Sequence, residues 1–163
     1  MNIASGFSWR PHTTVILVLG VVFILVAIVV SYITFNFKPT AEVQLGSTVL
    51  RLWVADDETE RVQGLSGVES LRADGGLLMD FRADDKWAIW MKDMLLPLDI
   101  VWLNSSKEVI YIVKNAQPEL GTGTVMRPKS AARYVIELPA GTVDDAGIKT
   151  GQVASFEVEE PNK

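Results

Sequence analysis

The sequence predicts a mainly β domain of the α+β class, a compact antiparallel sandwich or barrel with one or two short helices, preceded by one transmembrane helix. Three observations carry this expectation. Residues 13–37 are uncharged and contain an apolar run from Val15 to Val30 relieved only by Gly20, whereas all twenty acidic residues lie at or after Glu42. Beyond Ala41, short runs rich in Val, Ile, Leu and Trp recur between turn residues, which is the pattern of strands. No regular alternation with helical segments accompanies them, so roughly seven or eight strands in a mainly antiparallel arrangement are expected.

The organisation follows as a short tail over 1–12, a transmembrane helix over 13–35, a linker over 36–42 and a globular domain over 43–163. A bilayer core needs about 20 apolar residues in helical form, so Thr13–Phe35 is expected to make the lipid bilayer a partner of the chain. A cleaved signal would carry a shorter apolar region and small residues at the cut. Here Tyr32, Phe35 and Phe37 follow the run, and such rings suit the headgroup belt of a signal anchor. Arg10 precedes the span and Lys38 follows it. With the amino terminus added, positive charge favours a single-pass protein with a cytoplasmic N-terminus and an extracytoplasmic domain at the cell membrane.

Within the domain, Val43–Leu45 and Val49–Val54 read as a hairpin around Gly46-Ser47. Asp57-Glu58-Thr59-Glu60 has the spacing of a capping box and opens a short helix that Gly64 and Gly67 end. Leu77–Phe81 alternates, with Leu77, Met79 and Phe81 on one face and Leu78 and Asp80 on the other. Trp87–Met91 reads as a further strand and Lys92–Leu96 as a loop. Leu98–Leu103 sets Asp99, Val101 and Leu103 against Ile100 and Trp102, and a turn leads to a strand over Glu108–Lys114. Asn115–Lys129 is irregular, and long loops in compact domains are usually functional or mobile. Ala131–Leu138 is a strand, Thr142–Asp145 opens one helical turn, and Gln152–Val158 closes the sheet.

Composition removes several chemistries. From Ala41 onward thirteen basic residues face twenty acidic ones, a net charge of about −7, which disfavours nucleic acid as a partner. There is no cysteine, and the one histidine, His12, precedes the apolar run. A Ser-His-Asp or Cys-His site cannot be built in the domain, nor can imidazole ligate zinc there. No metal, no cofactor and no catalytic residue are assigned.

The densest stretch is Trp87–Leu103, where three tryptophans and two methionines surround only Lys92, Asp93 and Asp99. Arg61-Val62-Gln63-Gly64-Leu65, Gly75-Gly76-Leu77-Leu78-Met79-Asp80-Phe81, Trp90-Met91-Lys92-Asp93 and Pro97-Leu98-Asp99-Ile100 occur in order. In these four motifs the chain resembles the bacterial and archaeal domain of unknown function 192 family over about Val43–Val158. That resemblance implies a compact, mainly β domain, often secreted or membrane-anchored, without an established activity. The family's usual Met and basic residue after Gly-Leu are replaced here by Ser66 and Gly67.

Arg61, Lys92 and Asp99 coincide with motif positions and are expected to form a charged cluster, with Lys92 and Asp99 brought together across the Lys92–Pro97 connection. Trp90 is the candidate among the tryptophans for an exposed aromatic platform, while Trp87 packs inward. The candidate ligand-binding or structural cluster is therefore Arg61, Trp90, Lys92 and Asp99. Two functions fit: a non-enzymatic binding or scaffolding module of the cell envelope, with an envelope glycan or protein partner, or alternatively a carboxylate-dependent hydrolase of envelope glycans drawing on Asp80, Asp93 or Asp99.

Overall fold

The computed structural model describes residues 11–36 and 39–158, and the chain divides into two units after Lys38. In the first unit Pro11–Asn36 forms one 26-residue helix, α1. The side chains described on it, at 15, 16 and 18–28, are exposed. Among the described residues no helix is long and apolar enough to cross a membrane. The expected span Thr13–Phe35 lies within α1, and the tail over 1–10 lies outside the described residues.

The second unit is built on one six-stranded mixed sheet in the order β1-β2-β3-β6-β4-β5. The strands are β1 (Thr40–Leu45), β2 (Thr48–Ala55), β3 (Gly75–Asp85), β4 (Leu98–Leu103), β5 (Val109–Ala116) and β6 (Ala132–Pro139). Two short helices join them, α2 (Glu58–Gln63) and α3 (Thr142–Asp145). The expected antiparallel sandwich or barrel of seven or eight strands is corrected here to one mixed sheet of six, in which β2 and β3 pair in parallel, Arg51 opposite Gly75 through Ala55 opposite Met79. A parallel pair needs a crossover, and α2 with the turns after it supplies one.

Alternation divides the apolar residues between the two faces. Leu50, Leu52, Leu78, Val101, Leu103, Ile136 and Leu138 belong to one core, closed by Val143, Ile148 and Phe156. Leu77, Met79, Leu98, Ile100, Trp102 and Val135 belong to the other, covered by Leu65, Ile89, Met91, Met94 and Met126. The segment after α3 makes isolated bridges to both flanks of the sheet, Ser155 with Gln44 and Val153 with Glu108. These bonds satisfy part of the edge strand β1, which limits its exposure to other chains.

Trp87–Met91 is not a strand of the sheet. Ile89 alone makes a bridge, with Met126, through two backbone bonds of 2.9 Å. Trp87, Ile89 and Met91 nonetheless turn toward the sheet, because Ile89 and Met91 join the second core and the Trp87 ring stacks on Phe81 with centroids 4.4 Å apart. The segment is thus a lid of large side chains laid over one face, fixed by packing instead of by a ladder.

Candidate functional site

Under that lid, beside α2, lies a cavity of about 370 Å³, a size suited to a small ligand. α2 forms one wall. Asp57 caps it by accepting from the Glu60 amide at 2.8 Å, as the spacing predicts, and the Glu60 carboxylate reaches back to the Asp56 amide at 3.3 Å. Gly64 ends it at φ 53°, ψ −132°, a conformation reserved in practice for glycine. The capped turn presents Arg61, Val62 and Gln63, and after Gly64 Leu65 and Ser66, to the cavity.

The lid forms the opposite wall with Trp87, Ala88, Ile89, Trp90 and Met94. It is tied down at several points. The Met91 amide donates to Gly121 O at 3.0 Å and the Gly67 amide to Asp93 O at 2.9 Å. Ser66 Oγ donates to Lys92 O at 2.8 Å, and the buried indole of Trp102 donates to Trp87 O at 3.0 Å. Trp90 is 40 % exposed, so its indole forms the rim.

The floor is the sheet, through Met79, Phe81 and Glu137. Glu137 stands on the inner strand β6 between Leu77 and Ile100 of its neighbours. It is only 4 % exposed, and its Oε2 has no hydrogen-bond partner. Burial pushes its carboxyl up to about 7, from 4.5, because a charge removed from water without a partner is disfavoured.

The sign of the resulting stability effect is opposite to that of an ordinary carboxylate. Between about pH 4.5 and about pH 7 the folded chain holds a proton here that the unfolded chain has lost, so stability falls as pH rises, by about 3 kcal/mol across the window. Glu137→Gln should lack this fall and gain on the wild type between about pH 4.5 and about pH 7, as read from urea unfolding midpoints. Parallel pH profiles for the two proteins would remove the effect.

Two of the four residues singled out from sequence, Arg61 and Trp90, meet at this cavity. Arg61 Nη1 donates to Asp80 O at 3.0 Å, and its guanidinium lies 5.3 Å from the Phe81 ring centre. Lys92 and Asp99 do not meet. Lys92 is an exposed residue of the lid, whereas Asp99, 1 % exposed, shares its parity with Val101 and Leu103 on the other face of the sheet. Its oxygens accept from the amides of Asn115 at 2.9 Å and Val143 at 2.8 Å. The second bond caps α3, whose own N-cap, Gly141, has no side chain to do so.

Asp99→Ala should therefore destabilise by about 3 kcal/mol, since it strands two amides, while Lys92→Met should change stability by less than about 0.5 kcal/mol. Urea denaturation of both variants tests the assignment. A large loss from Lys92→Met would reinstate the pair.

Asp80 is also committed, to Arg133 and to the Arg82 amide, and Asp93 is exposed in the lid with φ 54°. None of these three acids lines the cavity, whose acidic residues are Glu58 and Glu137. Glu137 itself was legible in principle. It is the one acid in Tyr134-Val135-Ile136-Glu137-Leu138, a run apolar on both faces, where a charge has no exposed side to occupy.

Fold and site together define a small β domain with a lidded, ligand-sized cavity and a buried acid in its floor. The chain belongs to the domain of unknown function 192 family, described as uncharacterized ACR, which it matches over residues 40–156. A UPF0127 protein of Thermococcus sibiricus is 30 % identical over 110 residues, 68 % of each chain, and one of Thermococcus gammatolerans is 28 % identical over 121 residues, 71 % of this chain and 76 % of that one. Among solved structures, a candidate transcription regulator of Sinorhizobium meliloti superimposes with a TM-score of 0.69 at 29 % identity, over 73 % of this chain and 95 % of its own. A protein of unknown function from Novosphingobium aromaticivorans gives 0.66 at 25 % identity, over 72 % and 84 %.

Proposed function

We propose that this chain is a membrane-tethered, extracytoplasmic binding module whose β domain takes a small ligand with an apolar ring face in the cavity behind Trp90. The observation that carries the reading is the pairing of a 370 Å³ cavity with an unpartnered, buried carboxyl oxygen in its floor. A structural core would fill such a space or satisfy the acid, because an unmet buried acceptor costs about 1–3 kcal/mol. Sites that take ligands combine apolar walls with a few placed polar groups, and Trp87, Phe81, Met79 and Met94 supply the walls here.

The tether rests on α1. Within it Thr13–Phe35 carries no Asp, Glu, Lys or Arg, and the apolar run Val15–Val30 is relieved only by Gly20, the composition of a membrane anchor. The charges around it favour the orientation with the domain outside the cell.

Both halves are testable separately. With full-length protein in lipid nanodiscs, tryptophan fluorescence is titrated with 2-phenylethylamine, 2-phenylethanol and 3-phenylpropanoate. At least one should give a saturable response that Trp90→Ala weakens about tenfold, as loss of an aromatic anchor does. No saturable response to any of the three would overturn the binding reading. Extraction of membranes with alkaline carbonate should leave the chain in the pellet, and protease added to spheroplasts should digest the β domain. Release into the supernatant would overturn the tether alone.

A further inference from the structure

The ligand's chemistry can be narrowed from the hydrogen bonds of the cavity wall, an argument that rests on reading the cavity as a ligand site. Four side-chain donors of the cavity wall are engaged away from Glu137. Arg61 Nη1 bonds Asp80 O, Gln63 Nε2 bonds Ser66 O at 3.1 Å, Ser66 Oγ bonds Lys92 O, and Trp87 Nε1 bonds Ala83 O at 2.9 Å. The Glu137 Oε2 acceptor is left over. An occupant that carries its own donor satisfies it.

We infer that the occupant is a small organic cation, a protonated amine whose N–H donates to Glu137 Oε2 while its apolar body lies against Trp87, Trp90, Met79 and Met94. Aromatic faces attract cations through the negative face of the ring, and thioether sulfur is a soft, polarisable contact. The domain's net charge of about −7 raises the local concentration of cations.

The charged groups facing Glu137 come from one element. α2 contributes Glu58 and Arg61, while the lining residues of β3 and of the lid are uncharged, and the register neighbours of Glu137 on β3 and β4 are Leu77 and Ile100. Glu58 adds negative charge. Arg61 is the one opposing charge among the lining residues, and its Nη1 bonds Asp80 O while the guanidinium lies over the Phe81 ring.

A cation is favoured over a neutral donor by what burial does to the acid. Glu137 exchanges its proton near neutral pH, so an arriving ammonium replaces the proton as the counter-charge, and the proton leaves to solvent. A neutral hydroxyl ligand would bond the protonated acid without releasing it. The two cases have opposite consequences. Cation binding strengthens with pH through the titration, whereas acceptance of a hydrogen bond from the protonated acid weakens.

The test is calorimetric titration of full-length protein in nanodiscs with 2-phenylethylamine, using 2-phenylethanol and 3-phenylpropanoate as neutral and anionic controls. The amine should bind at least about tenfold more tightly than either control, and its affinity should rise about tenfold between about pH 6 and about pH 8. Heats measured in phosphate and in Tris should differ by the uptake of one released proton. Glu137→Gln should lose the preference for the amine and keep the affinity for the alcohol. An amine no tighter than the alcohol, or an affinity that falls with pH, overturns the cation while leaving the cavity as a site. Failure of all three probes overturns both readings, and the wild-type pH profile decides the matter even if the variant does not fold.

Discussion

Gly76→Ala is expected to destabilise the β domain by more than about 3 kcal/mol, at the upper end of overpacking effects, although it adds a single methyl group. A Cβ at this position would lie 2.2 Å from Glu137 O and 3.1 Å from the Cδ2 atoms of both Leu52 and Leu138. The first contact is with backbone of β6, an inner strand that pairs with β3 on one side and β4 on the other. It cannot rotate away. Relief would require β3 and β6 to separate where Leu77 pairs with Glu137, and that opens the ladder between them.

The requirement is for room, since Gly76 is absent from the residues with positive φ. Gly75→Ala offers the control. Its nearest contact would be Arg72 O at 3.3 Å, a turn that can yield by tenths of an ångström, so a loss of about 1 kcal/mol or less is expected. Urea unfolding of the two variants compares them directly, and equal losses would show that the sheet accommodates the methyl group. Because Gly76 sets the approach of β3 to the Glu137 backbone, Gly76→Ala should also weaken the amine response of the cavity.

The same two strands show how far the amino-acid order reached. Strand parity was legible: Leu77 and Met79 do face the lid while Leu78 faces the other core, and the bounds Leu98–Leu103 agree with β4. Such features depend on side-chain period alone. The capping of α2 by Asp57 was legible for the same local reason. The pairing of strands was not, because the crossover between β2 and β3 carries a helix of only six residues, too short to announce a parallel unit. Trp87–Met91 has the composition of a strand but makes one bridge, since its large side chains are held by burial on the face of the sheet. Arg61 and Trp90 were selected and share the cavity. Lys92 and Asp99 were selected and are divided by the sheet, because an expected strand before the loop, which would have brought them together, does not pair with β4.

Asp80→Ala should cost about 3–5 kcal/mol, the range for breaking a buried ion pair from one side. The Asp80 side chain is fully buried, and Arg133 reaches it through two bonds of 3.0 Å, Nε to Oδ1 and Nη2 to Oδ2. Oδ1 also accepts from the Arg82 amide at 2.8 Å, and Arg82 Nε lies 3.8 Å from Oδ2. Arg82 has φ 60° and sits where the β3–β6 register shifts between Asp80 and Asp85, so the carboxylate holds the bulge as well as the charge. Arg82 in turn bonds Asp56 at 2.5 Å, just before α2. The network therefore fixes the end of β3 beside the α2 wall, and the Asp80 carbonyl receives Arg61 there. Asp80→Asn keeps an acceptor for the Arg82 amide but loses the forked bond, and a smaller loss of about 2 kcal/mol is expected. A double-mutant cycle with Arg133→Met, read by urea unfolding, should give a coupling of at least about 1.5 kcal/mol, as contacting residues in one network do. Additive losses would mean that Asp80 acts through the bulge alone. Arg133→Lys should then be as stable as the wild type, whereas the forked geometry makes that substitution costly because a point charge cannot replace two parallel N–H bonds.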